Sequence, residues 1–91
     1  MTVITMNEEN HGFLGVAKDY KAAIKYLGQT NWLNKDTEIS QYDEEKGWKY
    51  IPISKILGEN VIENLSLWTI TEFNDFFEGM FTLWEEEVWE E

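Results

Sequence analysis

Cysteine and arginine are both missing from this chain of 91 residues, and beyond Lys55 every basic side chain is missing too. Without cysteine there is no disulfide framework and no thiolate to serve as nucleophile or metal ligand. Small secreted domains usually carry such staples, so a cytoplasmic protein is the expectation. Arginine is the usual side chain for bidentate grip on phosphate, and its absence argues against direct nucleic-acid binding. Long apolar runs are also lacking: nothing approaches the roughly 20 residues of a membrane-spanning helix, so no membrane partner is expected. The stretch Met1 to Met6 has no positive n-region and runs into Asn7-Glu8-Glu9, which does not read as a signal peptide.

What is present is acid, unevenly placed. Residues 1–55 set 7 lysines against 8 acids, whereas residues 56–91 hold 10 acids and no base, so nearly all of the formal charge of −11 lies in the last 36 residues. Such a field attracts basic partners, repels nucleic acid and anionic membranes, and opposes self-association. Acidity alone would suggest disorder, but disordered segments are poor in aromatics. Here 15% of residues are aromatic, including 5 Trp and 5 Phe, enough large side chains for one compact core.

The pattern along the chain predicts alternating hairpins and helices. Thr2 to Met6 and Phe13 to Ala17 read as strands around the turn residues Asn7 to Gly12. Asp19 is a helix cap, followed by Tyr20, Ala23, Ile24 and Leu27 on one stripe, with Gly28 expected to end or weaken the helix. Lys18, Lys21 and Lys25 fall on the opposite face, where they read as a solvated helix surface. Thr37 to Tyr42 and Trp48 to Ile53 form a second hairpin, with Pro52 at a strand end. Ser54 is expected to cap a helix from Lys55 to about Leu67, interrupted at Gly58. Thr69 and Glu72 then make a capping box, Trp68 and Phe73 a hydrophobic staple, and Phe73, Phe76, Phe77 and Met80 one buried face. From Met80 onward a final strand is expected, although Phe77, Phe81, Trp84 and Val88 also keep helical spacing. The reading is therefore a single α+β domain: an antiparallel sheet from two hairpins packed against an amphipathic helix, with a C-terminal helical pair and a last strand.

No catalytic or cofactor constellation stands out. His11 is the single histidine, and a zinc site wants three or four held ligands. The acidic turns lack the order of a calcium loop, and no phosphate-cradling glycine pattern occurs. No metal, cofactor or catalytic residue is expected, and the chain reads as non-enzymatic. The candidate contact surface is acidic and aromatic: Glu72, Asp75, Glu78, Trp84, Glu85, Glu86, Glu87, Trp89, Glu90 and Glu91. Tryptophan is enriched at interface hot spots, while the simpler reading has Trp84 or Trp89 closing the edge of the core.

Two stretches carry a resemblance. Val3-Ile4-Thr5, Glu9-Asn10-His11-Gly12 and Gly15-Val16-Ala17, running into Tyr20 to Leu27, together with Trp68-Thr69-Ile70 and Glu72-Phe73-Asn74 through Phe76-Phe77 and Gly79, resemble small acidic proteins of phages, prophages and mobile elements of Gram-positive bacteria. The resemblance implies an accessory protein acting in a host cytoplasm, of a kind that often inhibits host nucleic-acid enzymes, sometimes by mimicking DNA charge. Two functions follow as expectations. One is an inhibitor docking through its acidic half on a basic surface of a host nucleic-acid-handling protein. The other is a small structural or regulatory module, a homodimer through its aromatics, whose acidity keeps it soluble.

Overall fold

The computed structural model describes residues 1–88. Two strands, β1 (Thr2–Glu8) and β2 (Gly12–Ala17), form the first hairpin, with a register shift between Met6 and Asn7. Strand β1 is central because a strand from the far end of the chain pairs with its other side. That strand, Phe81–Glu87, runs antiparallel to β1 from Glu8↔Phe81 to Thr2↔Glu87, giving the order β2-β1 and then the last strand. Two-residue alternation decides the faces: Ile4 and Met6 of β1 are buried, as are Leu83, opposite Met6, and Phe81, opposite Glu8.

Helix α1 (Tyr20–Gln29) covers this buried face with Ala23, Ile24 and Leu27. Asp19 caps it, its carboxylate accepting from the Ala22 N–H at 2.8 Å. The helix ends at Gln29, one residue past Gly28. A Cβ on Gly28 would lie 2.9 Å from Ile62 Cγ1, so this glycine serves a close approach by a neighbouring helix. The segment after the second hairpin forms two short helices, α2 (Ser54–Leu57) and α3 (Val61–Leu65), parted where Gly58 takes a φ of +79°. Ile53, not Ser54, occupies the cap position of α2. Helix α4 (Ile70–Phe76) has the expected capping box, with Thr69 and Glu72 each accepting from the other's backbone N–H at 3.1 Å.

The aromatic stripe of α4 is only partly interior. Phe73 and Phe77 are fully buried, while Phe76 and Met80 are half-buried. Phe76 lies at the rim, where Trp68 meets it edge-on at 5.2 Å. Gly79 (φ +78°) then turns the chain into the last strand, so the strand alternative at residues 81–87 prevails over helix. The strand is designated β5.

The class is α+β, with antiparallel sheets and four helices among the described residues. The two hairpins do not share a sheet. Strands β3 (Glu38–Asp43) and β4 (Gly47–Pro52) make a two-stranded ribbon of their own. Its root is tied to the body: Ile53 is buried, its N–H donates to the Thr37 carbonyl at 2.7 Å, and Ile39 packs against the core. The last strand already pairs with the side of β1 that β2 leaves free, so the ribbon stays apart from that strand. The molecule is correspondingly long, 57 × 23 × 21 Å.

Candidate functional site

The acidic run falls on β5, and pairing with β1 sorts its residues. Along this edge strand the backbone of Leu83 faces away from β1, because both its N–H and C=O bond to the Asn74 side chain of α4, at 2.8 and 2.9 Å. Alternation then turns the N–H and C=O of Glu85 and Glu87 the same way. The Phe77 carbonyl accepts from Phe81 N–H at 3.1 Å, so the first half of the edge is closed by the helix. The second half, at Glu85 and Glu87, has no backbone partner among the described residues. Replacing Asn74 with Ala leaves two part-buried backbone groups unmatched. A loss of about 1–3 kcal/mol is expected, seen as a lower denaturation midpoint and faster exchange of the Leu83 amide. An unchanged midpoint would contradict the closed-edge geometry.

The side chains at the open end are also sorted. Glu85 and Glu87 continue the face that carries Phe81 and Leu83, whereas Glu86 shares the outer face with Trp84. Glu87 accepts from Thr2 Oγ1 at 3.2 Å and lies 3.5 Å from the Met1 amine, and Glu86 meets Thr5 Oγ1 at 3.5 Å. Glu85 borders a groove of about 500 Å³ under the end of the sheet, floored by Ile4, Tyr20, Trp68 and Ile70 with Lys18 at its rim. Tyr20 donates its hydroxyl hydrogen to the Leu65 carbonyl at 2.6 Å. Burial first, and the Glu72 carboxylate second, push that hydroxyl well above its ordinary pKa, so it stays protonated.

The other sequence candidates are not all gathered here. Glu72 serves the capping box and faces Tyr20, Asp75 is exposed on α4, and Trp84 is exposed on the outer sheet face. Glu78 lies in the turn after α4 beside Gly79, where a Cβ would sit 3.6 Å from Glu9 Oε2. That turn is at the opposite end of β5 from Glu87, roughly 20 Å away. Trp89, Glu90 and Glu91 lie outside the described residues. Among the described residues the lysine ion pairs are Lys35 with Glu59 and Lys49 with Asp43, and neither involves an acid of α4 or β5. His11 is an exposed turn residue whose ring packs 5.0 Å from that of Trp32.

One surface was missed by sequence reasoning. Tyr42, Trp48 and Tyr50 lie on the same face of the β3–β4 ribbon and are 60%, 71% and 74% exposed. Tyr42 and Trp48 are directly paired, their rings edge-to-face at 5.4 Å. The signal was the parity of β4: buried Ile53 and half-buried Ile51 share one face, which turns Trp48 and Tyr50 to the other. At the ribbon tip the Glu45 and Lys46 amides, with Lys49 beside them, hold the Asp43 carboxyl below its ordinary pKa.

No protein-family model, curated protein or solved structure matches the chain, so the site is read from its own geometry. No helix among the described residues is long and apolar enough to cross a membrane.

Proposed function

We infer that this chain is a non-enzymatic binding protein whose acidic strand end docks on a basic surface of another protein. The partner we assign is a nucleic-acid-handling protein of a host cell, inhibited because carboxylates occupy the place of DNA phosphates. The setting, a phage or prophage accessory protein in the host cytoplasm, rests on the resemblance of its sequence pattern. The observation that carries the docking reading is the run Glu85-Glu86-Glu87, exposed on a strand, with no lysine pair among the described residues and the Met1 amine, 3.5 Å from Glu87, as its one counter-charge there. Held on a strand, these glutamates have a backbone already ordered when a partner arrives, and their field raises the rate of encounter with a positive surface.

The exposed ribbon aromatics favour a second reading, self-association through Tyr42, Trp48 and Tyr50. Magnitude decides against it as the main function. Three large aromatics supply roughly 400 Å², about half of what each partner contributes to a standard interface. Two copies would also bring together two chains of charge −11.

Capture from an extract of the host cell, followed by elution with rising salt, separates the two. The docking reading expects basic proteins that bind nucleic acid and that leave the column between about 0.1 and 0.5 M salt. A second copy of the chain as the retained species, indifferent to salt, would overturn it.

A further inference from the structure

We propose that the open half of the β5 edge, at Glu85 and Glu87, accepts a lysine- or arginine-bearing segment of the partner as an added antiparallel or parallel strand. This rests on the charge-docking reading and specifies its mode. The edge is divided by the fold itself. Asn74 and the Phe77 carbonyl fill its first half, so a strand cannot add along the whole of β5. At Glu85 and Glu87 the outward N–H and C=O groups are left without backbone partners among the described residues.

Charge selects the occupant. Unpaired edges with charged side chains ordinarily repel other strands, and three consecutive glutamates repel acidic or second-copy strands strongly. A basic strand meets the opposite condition. Its side chains on the helix-facing side lie across from Glu85 and Glu87, and those on the other side lie beside Trp84 and Glu86. The groove of about 500 Å³ next to Glu85 offers Tyr20 and Trp68 for their alkyl stems to pack on, and its lining sets Asp19 and Glu85 against the single base Lys18. Lysine or arginine at the inward positions and aliphatic residues beside Trp84 make the matching pattern. Main-chain bonds would hold the segment and the glutamates would choose it, the division of labour expected in strand addition.

The test uses the full chain and a blocked peptide of about six residues alternating lysine and valine, the length of an ordinary strand. A second peptide has the same sequence with alternate backbone nitrogens methylated, which preserves charge and removes the strand's donors. Binding is followed by the amide resonances of the labelled chain. Strand addition predicts shifts centred on Glu85 and Glu87, and affinity at least tenfold weaker for the methylated peptide. Equal, salt-sensitive binding of both peptides would overturn strand addition while leaving charge docking in place. No binding of either at low salt would overturn both, leaving the glutamates as guards of an exposed edge.

Discussion

Phe73→Ala is expected to destabilise the isolated protein by about 3–5 kcal/mol. The ring is 0% exposed and sits at the junction of α4 with the rest of the core. It packs against Phe77 at 4.5 Å and meets Tyr20 of α1 edge-on at 6.2 Å. Helix α4 has only 7 residues, too few to be stable without tertiary anchoring. Losing this ring therefore weakens the helix, and with it the Asn74 clamp that closes the β5 edge. A domain of this size has about 5–15 kcal/mol in total, so much of its stability would be lost, and Tm should fall by roughly 15–30 °C. Phe76→Ala should cost distinctly less, because its ring is half-buried at the rim beside Trp68. Equal denaturation midpoints for the two variants would contradict the observed helix register.

That pair of residues also shows how far the sequence could be read. Spacing put Phe73, Phe76 and Phe77 on one face, and the capping box located the start of α4. Periodicity cannot say how wide the buried face is, which depends on what packs there. The sheet and α1 enclose Phe73 and Phe77, while Phe76 sits between Phe77 and Trp68 and stays half-buried. Each hairpin was legible from its local turn chemistry. Their separation into two sheets was not, because strand order is a long-range choice. The last strand, Phe81–Glu87, takes the edge of β1 that a single sheet would have given to the second hairpin. Gly28 was legible as the approach of the helix end, one residue before Gln29, but its close contact was not, because Ile62 is invisible in the local pattern.

The candidate site was legible in its charge and not in its shape. The absence of bases after Lys55 marks the acidic part of the chain, but helix and strand scatter those acids differently. Strand geometry gathers Glu85, Glu86 and Glu87 at one end of β5 and leaves Glu78 at the other. The aromatic ribbon of Tyr42, Trp48 and Tyr50 escaped because aromatics in alternating strands ordinarily point inward. Only the burial of Ile53 at the ribbon root fixes which face looks out.

Changing Glu85, Glu86 and Glu87 together to Gln is expected to slow partner association by tenfold or more at low salt. Glutamine retains size and an acceptor oxygen, so the contacts to Thr2 and Thr5 can persist while three charges leave. The same change should leave Tm unchanged or raise it slightly, because it relieves repulsion in a chain carrying −11 and costs only the exposed pair of Glu87 with the Met1 amine. Salt should reproduce both signs in the unaltered protein, steadying the free chain by screening its acids and weakening its complex by the same screening. A role in solubility alone predicts the first effect without the second.

The most direct measurement is the association rate constant of the unaltered chain and the triple variant with the captured basic partner, across a series from about 0.05 to 0.5 M salt. Charge docking through the β5 end predicts a steep fall with salt for the unaltered chain, a slower rate for the variant at low salt, and a shallower slope that meets the first at high salt. Identical rates and slopes for the two proteins would contradict it and move the contact to the ribbon aromatics.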